Sequence, residues 1–282
     1  MDKIPILLYH NFCSDTDKSK NSLAVTWDNF KKQMDWLYQN AFTAVSLEKI
    51  VAEAEYWRTE EQKSEGASQK PERKIQDTRK KVVLTFDGGD LSDYHFALPV
   101  LKEKGFCATF FVTINEIGKP GKMDWPMVYD LSRQGMGVAS GGLSSSFLTA
   151  HNNYTVLNDL LMSKQILEKY IRKRVDFLSA PGGFYNRRVL AIARDVGFKG
   201  VCVSDAGLND FLSEGLFLLK RFAVRKNYGL NAFRSIAAGQ PSVIVRSGES
   251  IRAVLRKTLG YQVWEKLENL KRKHRKKAQA KL

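Results

Sequence analysis

The run Val82-Val-Leu-Thr-Phe86, tipped by Asp87-Gly-Gly89, decides how this chain folds. A short run this apolar and β-branched reads as a buried strand, since it is too brief for an ordinary helix. His95–Lys104 then follows at helical spacing and stops at Gly105, after which Cys107–Thr113 is a second, largely apolar strand. Two apolar strands joined by a crossover helix predict a parallel sheet covered on both faces.

The same alternation extends outward in both directions. Upstream, Ile4–Tyr9 is an apolar strand, and Thr26 is placed to cap a helix carrying Phe30, Met34, Trp36 and Leu37 on one face. Thr43–Val45 is a short strand, and Ser46 opens a second helix. Downstream, helices are expected over Pro126–Gln134, Thr155–Lys173 and Arg187–Val196. Strands are expected at Met136–Ser140, Phe177–Ala180, Val201–Ser204 and Leu218–Val224. Such repetition suits a closed α/β barrel or a doubly wound sheet.

Composition bounds the rest. The 282 residues hold 45 Lys+Arg against 30 Asp+Glu, a net charge of +15, and 43% hydrophobic residues. Wholesale disorder is excluded, and no run approaches the ~20 apolar residues of a membrane span. Residues 271–282 hold seven Lys/Arg and no acid, so the rest of the chain carries only +8. Residues 55–81 hold fourteen charged residues and few apolar ones, which predicts a charged, partly flexible insertion. Ile251, Val254, Leu255, Leu259 and Val263 share a helical face that the basic tail extends. The chain therefore divides into a barrel over 1–245 and a C-terminal amphipathic helix and tail over 246–282. That tail suits an anionic membrane surface; nucleic acid is disfavoured, because no base-reading module accompanies the charge. Cys13, Cys107 and Cys202 are widely spaced and read as packed thiols. With no signal-like N-terminus, a cytoplasmic location is expected, peripheral on the inner membrane face where the tail engages it.

In an α/β barrel, chemistry gathers at the carboxyl ends of strands. Three tips stand out: Asp87-Gly-Gly89, the Gly/Ser loop within Gly137–Ser146, and Pro181-Gly-Gly-Phe-Tyr-Asn186. Asp87 is the one ionisable side chain among them.

Together these segments resemble the NodB-like polysaccharide deacetylases, carbohydrate esterase family 4. Ile4-Pro-Ile-Leu-Leu-Tyr-His10 is similar to the opening of relatives of poly-N-acetylglucosamine deacetylases. Leu84-Thr-Phe-Asp-Gly-Gly89 stands where the family has T-F-D-D-G, and Ser179-Ala-Pro-Gly-Gly-Phe184 resembles its third motif. Cys107–Val112, Trp125-Pro126 and Leu219-Lys-Arg-Phe-Ala-Val224 add to the likeness, which spans residues 4–240. The resemblance implies a distorted (β/α) barrel of about seven strands. It also implies metal-assisted hydrolysis of an acetamide, with an N-acetylated saccharide or lipid-linked sugar as partner.

Carried over residue by residue, the resemblance makes Asp87 the base and His10 the acid. The Asp-His-His metal ligands, however, fall on Gly88, Gly141 and Ser145. Glycine offers no side-chain donor and a serine hydroxyl is a poor zinc-type ligand, so neither metal nor other cofactor is expected. A site rebuilt from Asp87, Asp90, Asp93 and His10 is the alternative. Ser179 replaces a common Arg and Gly182 a common aromatic. Pro181, Gly182 and Tyr185 are the candidate saccharide-binding residues, the Gly182 N–H being a candidate oxyanion donor. Two functions follow: a family hydrolase of weak or absent activity, or an inactive scaffold binding saccharide or a partner in polysaccharide biosynthesis at the membrane surface.

Overall fold

The computed structural model describes residues 3–14, 23–63, 80–213, 216–243, 245–248 and 251. The tail expected beyond Ile251 and residues 64–79 of the expected insertion lie outside the described residues.

The chain opens with β1 (Ile4–Tyr9), then β2 (Asn11–Cys13) and β3 (Ala24–Thr26), which pair with each other as a small parallel ladder. Helix α1 (Trp27–Gln39) begins where expected, because the Thr26 side chain accepts a hydrogen bond from the Asn29 N–H. β4 (Phe42–Val45) leads into α2 (Leu47–Lys63), which carries the first part of the charged insertion as helix. β5 (Lys80–Asp87) follows, then a π-helical turn at Asp93–Ala97 running into α3 (Leu98–Glu103). The remaining units are β6 (Thr109–Val112), α4 (Trp125–Arg133), β7 (Gly137–Ser140), α5 (Asn153–Ile171), β8 (Phe177–Ser179), α6 (Arg187–Asp195) and β9 (Gly200–Cys202). Side chains of Asp124, Asn152 and Asn186 cap α4, α5 and α6, each accepting from a backbone N–H three residues on.

The expected strand Leu218–Val224 is divided. Short β10 (Leu208–Asn209) precedes β11 (Leu218–Leu219) and β12 (Phe222–Ala223), and α7 (Leu230–Ala237) closes the described chain. β11 pairs in parallel with β9, whereas β12 pairs in parallel with β1. The break at Lys220-Arg221 therefore lets one strand change neighbours. The main path runs β1-β5-β6-β7-β8-β9-β11, and β12, just past the break, returns the chain to β1, so the parallel circuit nearly closes as a distorted barrel; β10 adds antiparallel to β1 and β4 pairs with β5.

Period-two alternation sorts the strands into two cores. Leu7, Tyr9, Leu84, Phe86 and Phe110 face the helices, with Phe86 stacked on Phe110 at 4.7 Å. Ile6, Val83, Phe111, Ala139, Phe177, Cys202 and Leu219 fill the barrel interior. Continuing that inward parity to the strand tips places His10, Asp87, Thr113, Gly141, Ser179 and Arg221 around the mouth. Burial pushes the Cys202 thiol beneath them up to about 12, so it stays protonated and unreactive. No helix among the described residues is long and apolar enough to cross a membrane.

Candidate functional site

Asp87 is held from below by a residue the sequence reading passed over. Arg221, in the break between β11 and β12, donates from Nη1 to Asp87 Oδ1 at 2.7 Å and from Nη2 to Asp87 Oδ2 at 2.8 Å. Its Nε donates to the Val203 carbonyl at 3.1 Å, and Nη2 also donates to Ser179 Oγ at 2.9 Å. Ser179 Oγ in turn donates to Asp87 Oδ2 at 2.8 Å. The Arg221 side chain is 1% exposed and that of Asp87 16%. A two-pronged fork of this kind fixes a carboxylate in position as well as charge.

Burial pushes the Asp87 carboxyl up, but the Arg221 charge and hydrogen bonds, with smaller help from His10 and Ser179, hold it below the ordinary carboxylate range. Asp87 is therefore a fixed anion at neutral pH. Ser179 occupies the position where the resemblance has an Arg, and the guanidinium arrives instead from residue 221.

His10 lies beside this pair because β1 and β5 run in register, with Tyr9 opposite Phe86. Burial draws its imidazole below the ordinary histidine value, Asp87 pulls upward, and Arg221 adds to the lowering. At neutral pH the ring is thus predominantly neutral, an acceptor before it is a donor. The expected His10–Asp87 neighbourhood is present, and the ring's charge state sits poorly with the acid role.

The third tip forms a short turn at Pro181–Gly183. Gly182 is exposed at φ +66°, and a Cβ there would lie 2.5 Å from Phe147 Cε1, so the Phe147 ring requires glycine. Phe147 packs against Phe184 with centroids 5.0 Å apart, making an aromatic flank to that turn. Tyr185 is half-buried against the core and donates its hydroxyl to Asp205 Oδ2 at 2.9 Å, which ties it into the wall.

The alternative of a rebuilt metal site does not assemble: among the described residues no three His, Cys, Asp or Glu side chains are grouped to hold an ion. Lys122 donates to Asp90 Oδ1 at 3.1 Å and to the Gly88 carbonyl at 2.9 Å. Asp93 is buried behind them, where Oδ2 accepts from the Asp90 N–H at 3.2 Å and Oδ1 has no partner. Burial and the nearby Asp90 push the Asp93 carboxyl well above the ordinary carboxylate range.

The three positions that the resemblance gives to metal ligands are no better suited. Gly88 sits at φ +109°, and a Cβ there would lie 3.0 Å from Asp90 Oδ2. At Gly141 a Cβ would meet Thr113 Oγ1 at 2.8 Å and the Val112 and Thr113 backbone at 3.2 and 3.3 Å. The loop before Ser145 is organised on Asp159, which accepts from the Leu143 N–H at 2.8 Å and the Ser144 N–H at 3.3 Å. The residues present do not fit a divalent metal.

Residues 74–201 match the family model described as polysaccharide deacetylase. The Bacillus subtilis (strain 168) protein YxkH, provisionally named a polysaccharide deacetylase, is 25% identical over 231 residues, covering 82% of this chain and 75% of its own. The Streptococcus pyogenes deacetylase PplD, solved in complex with acetate, superposes with a TM-score of 0.69 at 21% identity, covering 86% of this chain and 99% of that one. A de-N-acetylase from Aggregatibacter actinomycetemcomitans gives a TM-score of 0.67 at 17% identity over 83% of this chain and 100% of that one. At such identities the two solved structures establish the shared fold.

Proposed function

We propose that the barrel mouth, in a chain whose residues 74–201 match the polysaccharide deacetylase family model, binds an N-acetylated saccharide without metal-dependent deacetylation. The observation that carries this reading is the two-pronged Arg221–Asp87 pair, set among ligand positions occupied by Gly88, Gly141 and Ser145.

Proton affinity stands against metal-free hydrolysis here. A general base works best with a pKa near the operating pH, and Asp87 is held below the carboxylate range. Metal binding lowers a water from about 15.7 to about 7, which brings it within reach of such a base. Ordinary water leaves Asp87 more than ~10 units short. General acid–base assistance of about 10²–10⁴ does not close the distance to accelerations of 10⁶ or more.

Binding has better support. Asp87 and Ser179 offer a fixed acceptor and a hydroxyl, neutral His10 stands beside them, and the exposed Gly182 turn with Pro181 and the Phe147–Phe184 flank borders the mouth. Tyr185 shapes that border from within. A lipid-linked sugar at an anionic membrane, reached through residues 246–282, is the location this reading favours; liposome flotation with and without residues 251–282 tests it, and equal flotation by both forms counts against the tail.

The decisive experiment pairs calorimetric titration of N-acetylglucosamine oligomers with an acetate-release assay, without and with added zinc or cobalt. Binding weakened by Asp87→Ala, with no acetate released, is expected. Metal-stimulated acetate release by the natural chain overturns the proposal. The adjacency of His10 and Asp87 favours residual hydrolysis as the second reading; acetate release that is indifferent to metal and abolished by His10→Ala supports it instead.

A further inference from the structure

The mouth carries a cation on the side where a metal ligand is missing, and it belongs to the protein. Lys122 reaches across from the segment before α4, and its ammonium lies 2.9 Å from the Gly88 carbonyl and 3.1 Å from Asp90 Oδ1. The backbones are stapled around it: the Leu91 N–H donates to the Gly121 carbonyl at 2.9 Å and the Met123 N–H to the Gly89 carbonyl at 3.0 Å. Asp90 and Lys122 also form an isolated antiparallel bridge. The ammonium is therefore held by the Gly88 carbonyl and Asp90, on a segment whose backbone is itself pinned, with its side chain 22% exposed.

We propose that Lys122 is the resident cation of the mouth, and that with Arg221 it makes the site exclude divalent ions by construction. A Cβ added to Gly88 would lie 3.3 Å from Lys122 Nζ, so a carboxylate introduced there meets the ammonium first. Asp87 has its fixed cation in Arg221 at 2.7 Å and Asp90 has one in Lys122. A divalent ion needs oxygen or imidazole donors that are not already committed to positive charge. Across β6 from Gly88, Thr113 Oγ1 and the Val112–Thr113 backbone crowd the space an imidazole at 141 would enter. The three replacements are thus accompanied by two neighbours that close the space: Lys122 beside position 88 and Thr113 beside position 141.

This inference rests on reading the mouth as a metal-free saccharide site, and it specifies what that site refuses. Its test uses metal alone, so loss of saccharide binding leaves it standing. Zinc content of the full-length chain after gel filtration is measured by mass spectrometry for the natural sequence and for Gly88→Asp/Gly141→His/Ser145→His. Manganese affinity is measured from the free-ion electron spin resonance signal for the natural sequence and for Lys122→Ala. Neither zinc sample is expected to hold one ion per chain. Lys122→Ala, which takes the ammonium away from Asp90 Oδ1 and the Gly88 carbonyl, is expected to bind manganese at least tenfold more tightly than the natural chain. One zinc per chain in the natural protein, or in the folded triple variant, overturns the proposal, as does an unchanged manganese affinity in Lys122→Ala. Where circular dichroism finds the triple variant unfolded, the Lys122→Ala comparison decides the matter.

Discussion

Replacing Arg221 by Met removes the guanidinium while keeping an unbranched side chain in a space that is 1% exposed. Five described hydrogen bonds are lost: the pair to Asp87 and one each to Ser179, the Val203 carbonyl and Thr85 Oγ1. What remains is a recessed Asp87 carboxylate with the Ser179 hydroxyl as its donor. Breaking a buried pair from one side costs about 3–5 kcal/mol, because the surviving charge stays uncompensated. At about 2–4 °C per kcal/mol for a domain of this size, the melting temperature falls by roughly 10 °C at pH 7. The pH dependence identifies the cause. In the natural chain Asp87 is held below its ordinary value, so the pair's stabilisation is present above the unfolded carboxylate pKa of about 3.9 and fades as pH falls through the lower folded value. In Arg221→Met burial dominates, the Asp87 pKa rises, and the deficit shrinks as the solution is acidified toward that raised value. Urea melts of both proteins at pH 5 and pH 7.5, with Arg221→Met/Asp87→Leu as the paired control, measure this directly. The double variant is expected to recover more than half of the loss at pH 7.5. A deficit below about 1 kcal/mol, or one that is equal at both pH values, refutes the buried-pair account.

Three further outcomes follow from the same mouth. The His10 imidazole should titrate below the ordinary histidine value of about 6.5 in a proton NMR series; folding stability then rises with pH through that region, and Asp87→Asn should lower the midpoint further, since Asp87 is the main group opposing the burial. Asp93→Asn replaces a buried carboxyl whose raised pKa makes its contribution fade as pH increases, so the variant's advantage over the natural chain should grow from pH 5 to pH 8; a loss that grows instead contradicts an upward shift at Asp93. Gly182→Ala forces a side chain into φ +66° and against Phe147, which should cost about 1–3 kcal/mol and weaken saccharide binding several-fold in the same titration; full stability and affinity would show that the Phe147 ring moves freely.

The strand–helix order was legible because it is written locally. Apolar runs such as Ile4–Tyr9 and Val82–Phe86, and a cap such as Thr26, act over a few residues of chain. Parity along those strands also places His10 and Asp87 side by side, once β1 and β5 are known to be neighbours in register. The small β2–β3 ladder and the π-helical turn at Asp93–Ala97 carry no comparable periodic signal. Arg221 was the larger omission. Its partner is 134 residues away, and its strand reads as one apolar segment in which the Lys220-Arg221 pair looks like an exposed interruption. The available signal was parity: Arg221 shares the face of Leu219, which points into the barrel. An Arg on an inward position of a barrel strand must find a carboxylate there, and Asp87 is the acid at the neighbouring tips.

Two absences that look alike in the sequence therefore have opposite outcomes in the fold. Ser179 lacks the guanidinium the resemblance places there, yet that charge is restored on Asp87 from another strand, and the small serine leaves room for it and bonds to both partners. Gly88 and Gly141 lack ligands, and there the surroundings crowd the position, with Lys122 against the first and Thr113 against the second. A position vacated under no constraint keeps the space its former side chain needed. A position whose neighbours have closed in has acquired a different arrangement, one that holds its own cations and fixes Asp87 as an acceptor. On this argument the mouth is a built site with its own chemistry, and restoring the absent ligands alone would add side chains to space that Lys122 and Thr113 already use.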